Sequence, residues 1–150
     1  MDSTNDGRTD SRQKLESLLG SRKETLALYA ELAGLRPFEE EEEVIVVLQE
    51  FCESLMDYSA SAHFQLYRFI EEGTERRTKV REVAEKVYPD ISETTQCFLD
   101  FNDKYDSAEK SEHLKSLADD LSKLGETLAD RIVYEDQVIS AYTTTKSQVA

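Results

Sequence analysis

The stretch ESLMDYSASAHFQLYRFI, residues 53–70, decides how the rest of the chain is read. Leu55, Ala62, Leu66 and Phe69 recur with the period of an amphipathic helix, and no strand-like alternation is present. At about 100° per residue, Asp57 and Phe64 lie nearly opposite Leu55 and Ala62. Glu50, Glu53, Ser61 and Arg68 share their face. An acidic strip with an aromatic in its middle is one way to build a protein-binding hot spot. The alternative is a central helix covered on both sides, with Phe64 in a second core, and Asp57 and Glu50 argue against it. Glu50, Glu53, Asp57, Ser61, Phe64 and Arg68 are therefore the candidate partner-binding residues. His63 falls on the edge of the core face.

The same period runs outward from this segment. Glycines and prolines are few, five and two, and lie between or near the ends of the periodic segments. Residues 1–9 have too little apolar content to order and read as a disordered tail, leaving 10–146 as one domain. Asp10 and Gln13 form a capping box for a first helix, Gly34 suits its left-handed C′ position, and Pro37 prevents its continuation. A second helix starts near Phe38, with Glu39–Glu43 at the positive end of its dipole, and runs to Glu72. Gly73 closes it and Thr74 caps the next. The third covers about 75–106 and is expected to kink or restart at Pro89, with Asp90 and Glu93 as cap residues. The fourth runs from about Ala108 to Thr144, with Asp106 and Glu109 as its capping pair. Four amphipathic helices with short connections predict an all-α, up-down-up-down four-helix bundle.

The expected core stripe of the first helix is Leu15, Leu19, Arg22, Leu26, Tyr29 and Ala33. The second contributes Val44, Leu48, Phe51, Leu55, Ala62, Leu66 and Phe69, with Cys52, Ser59 and Ile70 on its shoulder. The third contributes Val80, Val83, Val87, Ile91, Thr94, Phe98, Phe101 and Tyr105. The fourth contributes Leu114, Leu117, Leu121, Leu124, Leu128, Ile132, Glu135, Ile139 and Tyr142. Arg22 and Glu135 interrupt two stripes and His63 borders a third. Burial of a bare charge is costly, so Arg22, His63 and Glu135 are expected to meet in one internal network. Such a network either fixes helix register or forms a polar pocket for a ligand or switch.

Thirty-two acidic against eighteen basic residues give a net charge of −14, which disfavours nucleic acid and anionic membranes and favours a basic protein partner. The plainer reading is that the charge keeps a small bundle soluble. No apolar run approaches a membrane span, and the N-terminus lacks a signal-peptide layout. Cys52 and Cys97 sit inside helical patterns as two small core hydrophobes, as in a reduced cytoplasmic protein. Bundle metal centres use Glu-x-x-His pairs, but Ala60 and Lys110 stand three residues before His63 and His113, so neither a metal nor another cofactor is expected. No phosphate loop, Cys-x-x-Cys or nucleophile elbow occurs. Ser59 and His63 lack an orienting acid nearby in sequence, and the protein is not read as an enzyme.

The segment FCESLMDYSASAHFQLY, residues 51–67, resembles the signature of the Rsd/AlgQ family, bacterial anti-sigma regulators of RNA polymerase. That signature runs approximately F-C-x-x-L-x-D-Y-x-S-A-G-H-F-x-x-Y. Phe51, Cys52, Leu55, Asp57, Tyr58, His63, Phe64 and Tyr67 occupy its positions. The family serine falls on Ala60, with Ser59 and Ser61 to either side, and the glycine is Ala62. RKETLALYAELAGLRP is similar to the family's first helix and its exit. TTQCFLDFNDKYD resembles its Thr-Gln segment and acidic turn. LGETLADRIVYEDQVI is similar to its last helix through Leu124, Gly125, Glu126, Leu128, Arg131, Glu135, Asp136 and Ile139. The family's Arg-Trp pair is replaced by Ser17 and Leu18, and the longer polar start and the Glu39–Glu43 run also differ.

The resemblance implies a bundle that binds region four of the primary sigma factor, keeping it from core polymerase and from the promoter's −35 element and favouring other sigma factors in stationary phase. It implies that Asp57 belongs to the sigma-binding determinant. Region four is a basic helix-turn-helix that contacts DNA phosphates, so an acidic face could occupy it in place of DNA. A chain that is monomeric when unbound is expected. The alternatives are a bundle that senses a small ligand in a polar interior, and a diverged paralogue that binds another regulatory protein.

Overall fold

The structure is a computed structural model that describes the backbone of residues 3–39, 42–73, 78–106 and 110–149. It describes the side chains of residues 13–39, 42–65, 81–106 and 113–141. The backbone forms α1 (Ser3–Ala33), α2 (Glu42–Gly73), α3 (Thr78–Tyr105) and α4 (Lys110–Val149). Tyr29 meets Phe51, Phe51 meets Phe101 and Tyr105 bonds Asp120, while Arg22 reaches Glu135. With Thr25 also against Ser54, Tyr58 against Phe98 and Arg131 against Thr94, each of these neighbouring pairs runs antiparallel, which gives the expected up-down-up-down bundle.

The stripes that are buried follow heptad spacing, alternating three and four. They read Leu18, Thr25 and Leu32 on α1, and Val44, Leu48, Phe51, Leu55, Tyr58 and Ala62 on α2. They continue with Ala84, Val87, Ile91, Thr94, Phe98, Phe101 and Tyr105 on α3. On α4 they are Leu114, Leu117, Leu121, Leu124, Leu128, Arg131, Glu135 and Val138. Burial of each large apolar side chain contributes about 1.5–3 kcal/mol.

Several expectations change. The α1 stripe is rotated: Leu26 is 36% exposed, while Leu18, Thr25 and Leu32 face inward. Leucines are spread around α1, so its apolar pattern fits more than one rotation, and packing against α2 selects one. Ile132 is only half-buried, because the α4 stripe passes through Arg131 instead. Cys52 is a core residue but Cys97 is exposed. α1 begins at Ser3, upstream of the expected cap at Asp10, and α2 begins at Glu42, not near Phe38. No described glycine has a positive φ, so Gly34 is not a left-handed cap. α1 closes through the Gly34 N–H to the Ala30 carbonyl and the Leu35 N–H to the Leu32 carbonyl, a tightened last turn. α3 is helical through Pro89 with no restart at Asp90. Pro89 is exposed there, so its ring burdens the helix without disturbing the core. The side chains of Leu66, Arg68, Phe69, Ile70, Val80, Glu109 and Tyr142, and Thr74 altogether, lie outside the described residues.

A polar network crosses the core. Glu135 is fully buried; its Oε1 accepts from the Tyr58 hydroxyl at 2.6 Å and from Arg22 Nη1 at 3.3 Å. Its Oε2 accepts from Arg131 Nε at 2.8 Å. Arg131, also fully buried, donates from Nη1 to Thr94 Oγ1 at 3.1 Å and Thr95 Oγ1 at 2.8 Å, and more distantly to the Ile91 carbonyl at 3.4 Å. Its Nη2 has no hydrogen-bond partner among the described residues, but the guanidinium lies 5.4 Å from the Phe98 ring centroid and 5.9 Å from that of Tyr58. The π faces supply part of the lost solvation. Arg22 also donates to Asp136 at 2.9 Å. Burial alone would lower the Arg22 pKa, but the Asp136 hydrogen bond and the charges of Asp136 and Glu135 raise it. Burial and then the Glu135 charge push the Tyr58 hydroxyl far up, so it stays a donor.

α1 and α4 meet through long side chains. Tyr29 reaches across to donate to the Leu121 carbonyl at 2.8 Å, and its hydroxyl lies over Gly125, where a Cβ would collide with it. At the far end of the α3–α4 contact, Asp120 accepts from Lys104 Nζ at 2.7 Å and from Tyr105 Oη at 2.5 Å. Burial alone would raise the Asp120 pKa; the hydrogen bonds from Lys104 and Tyr105, with the Lys104 charge, lower it instead.

Four consequences can be measured by urea or thermal unfolding. Glu135→Gln leaves Arg131 charged and unpaired in the core, an expected loss of about 3–5 kcal/mol. Tyr58→Phe removes one hydrogen bond to a charged group, about 1.5–3 kcal/mol. Equal losses for the two would contradict the central place of the carboxylate. Gly125→Ala displaces Tyr29 and should cost about 1–3 kcal/mol, an effect that Tyr29→Phe does not reproduce, since its ring still occupies the space. Because the folded-state pKa of Asp120 is depressed, its contribution is full above the ordinary value near 3.8 and is lost as pH falls through the lowered value. Stability of Asp120→Asn should therefore fall less steeply with acidification than that of the parent.

Candidate functional site

Tyr58 points inward to Glu135, and this fixes what its neighbours do. The preceding residue, Asp57, is exposed, as are Glu53 and Glu50 one and two turns earlier. One turn beyond Asp57, Ser61 is half-buried, and Phe64 follows at 70% exposure. The stripe expected on the outer face of α2 is thus outward over the residues that are described; the Arg68 side chain is outside them. Phe64 is not in a second core.

His63 requires a correction. It is exposed, with its ring edge-on to Phe64 at a centroid distance of 5.8 Å. The residue that α2 sends into the polar network is Tyr58, five positions earlier. A step of five residues turns a helix by about 140°, so the two cannot share the inward direction. His63 belongs with the outer face. Arg22 and Glu135 are brought together, and Arg131, Thr94 and Thr95 complete the network.

The acidic face is wider than α2. A groove of about 520 Å³ runs between α1 and α2. Glu50, Glu53 and Asp57 line its α2 side, and Glu24 and Glu31 line its α1 side. Ser21, Ala27, Leu28 and Ser54 supply smaller or apolar surface between them. The helices are locked alongside by Thr25, whose Oγ1 lies 2.8 Å from Ser54 Oγ and 3.2 Å from the Ser54 carbonyl oxygen. No ion pair among the described residues joins these five carboxylates to a cation, and Glu53 takes only a long hydrogen bond from Gln49 at 3.5 Å. Elsewhere in the bundle Glu135 and Asp120 each hold a cation. The groove therefore concentrates negative charge that no cation among the described residues pairs with, with an exposed aromatic further along α2.

Reading α2 in isolation missed Glu24 and Glu31, which join the site only through the α1–α2 contact. Their spacing of seven, on the polar side of α1, is the signal that could have found them. Missing Arg131 was avoidable, since it continues the heptad through Leu124 and Leu128 to Glu135. No helix among the described residues is long and apolar enough to cross a membrane.

Comparison with known proteins supplies the context for this face. Residues 1–143 match the family model described as "Regulator of RNA polymerase sigma(70) subunit, Rsd/AlgQ". A "Regulator of sigma D" from Yersinia pseudotuberculosis serotype O:1b (strain IP 31758) is 31% identical over 133 residues, covering 86% of this chain and 79% of that protein. The protein of that name from Yersinia pestis is 32% identical with the same coverage. The one from Shigella dysenteriae serotype 1 (strain Sd197) is 30% identical over 132 residues, covering 86% of this chain and 83% of that protein. No solved structure matches the chain. With the family match running through all four helices of the bundle, this chain belongs to the Rsd/AlgQ family of regulators of the RNA polymerase sigma(70) subunit.

Proposed function

We propose that this protein is an anti-sigma factor that binds region four of the primary sigma factor through the outer face of α2 and the adjoining groove. By occupying region four it withholds the sigma factor from core polymerase and from promoter DNA, and so regulates transcription in stationary phase. The observation that carries this reading is the acidic, uncompensated face around Asp57, with Phe64 exposed beside it, in a chain of a sigma-regulator family. Region four carries basic residues that contact DNA phosphates, and such a surface is complementary to carboxylates in a helical groove. The mechanism is stoichiometric occlusion without catalysis. Long-range attraction speeds the encounter, and Phe64 supplies the desolvated contact that slows release. The protein acts in the cytoplasm, as a monomer before binding, and touches neither nucleic acid nor membrane.

The test is calorimetric titration of the full chain against the intact primary sigma factor and against a form lacking region four. One-to-one binding to the intact factor, weakening with salt and lost on deletion of region four, is expected. Phe64→Ala should weaken it about thirtyfold, near 2 kcal/mol, and Asp57→Ala about tenfold, near 1.4 kcal/mol, with helicity and melting temperature unchanged. Undiminished binding by Asp57→Ala would put the interface on another face. Binding that survives deletion of region four would assign the partner surface to another part of the sigma factor.

A further inference from the structure

We infer that the occupant of the groove between α1 and α2 is a single basic helix of the partner, gripped from both sides, with Glu24 and Glu31 of α1 as binding residues in their own right. The inference rests on the reading above and names the partner element that the groove fits. Glu24 and Glu31 stand seven residues apart on α1, as Glu50 and Asp57 do on α2. Seven helical residues span about 10.5 Å, so each wall carries carboxylates at a two-turn repeat. Because α1 and α2 are antiparallel, with Thr25 against Ser54, Glu24 stands at the level of Glu53 and Asp57, and Glu31 at that of Glu50. The walls are therefore paired acid to acid across a floor that includes Ala27, Ser21 and Ser54, small enough for another backbone to come near.

An arginine- or lysine-bearing helix repeats its side chains over the same distance at i and i+7, with i+3 and i+4 between them. Its basic residues can reach carboxylates on both walls at once. An extended peptide matches less well, since same-side residues recur about every 6.6–6.8 Å along a strand. The groove's volume of about 520 Å³ accommodates one side of one helix. A flat contact on α2 alone would leave Glu24 and Glu31 facing the α2 carboxylates across the cleft with nothing to relieve the repulsion.

The experiment uses the full chain and the intact primary sigma factor at two ionic strengths. Glu24→Gln/Glu31→Gln should bind about tenfold more weakly at low salt, as expected for two partly exposed ion pairs at roughly two- to fivefold each, and should show a shallower salt dependence. Both residues are exposed, so the melting temperature should not fall. Glu93→Gln/Asp100→Asn removes the same charge at the same spacing from the exposed side of α3 and should leave affinity unchanged. Parent-like binding by the α1 variant, or equal weakening by both variants, would overturn the two-walled grip while leaving the sigma-factor reading in place. Absence of binding by the parent chain would overturn both.

Discussion

The fold depends on one buried carboxylate. Glu135 on α4 takes Tyr58 from α2, Arg22 from α1 and, through Arg131, the threonine pair of α3. A buried ion pair is weak evidence for stability, because desolvation consumes much of the Coulombic gain. Its value here is geometric. Apolar heptads tolerate a helix sliding or turning by a residue, since leucine fills a neighbouring hole nearly as well. A carboxylate with three directed donors does not tolerate it, because any slip strands a charge. Directional bonds thus select one register from those that the apolar stripes allow.

That selection reaches the surface. The inward direction of Tyr58 fixes the outward direction of Asp57, so the interior bond and the acidic face are two readings of the same helix rotation. Thr25 and Ser54 then hold α1 beside α2, and the carboxylates of both helices face one cleft. The acidic groups are thus held in place by the bundle itself, the preorganisation that lowers the ordering cost of any contact made there.

Much of this was legible in the sequence, and the misses have physical causes. Four heptad-like stripes, few glycines and prolines, and no alternation were enough for the bundle. Arg22 and Glu135 announced themselves as charges in apolar stripes. His63 misled because it lies near the core edge in sequence projection, while the direction of α2 is set by Tyr58, whose large amphipathic ring was not counted as core. Arg131 was passed over in favour of Ile132 because hydrophobicity was weighed above spacing. The apolar spacing of α1 puts Leu26 inside, but packing against α2 turns the helix and leaves it exposed. Glu24 and Glu31 show in the sequence only as a spacing of seven on the polar side of α1, since the cleft exists only once two helices are aligned.

The uncompensated charge of the cleft also bears on what this protein does with its own copies. An exposed phenylalanine on a helix can pack against its own copy about a twofold axis. Here such a pairing would bring Asp57 and the glutamates around it against themselves, since a twofold contact opposes each patch to its own likeness. Like charges opposed in this way cost interaction energy, so the acidic surround penalises a twofold pairing of this face with itself.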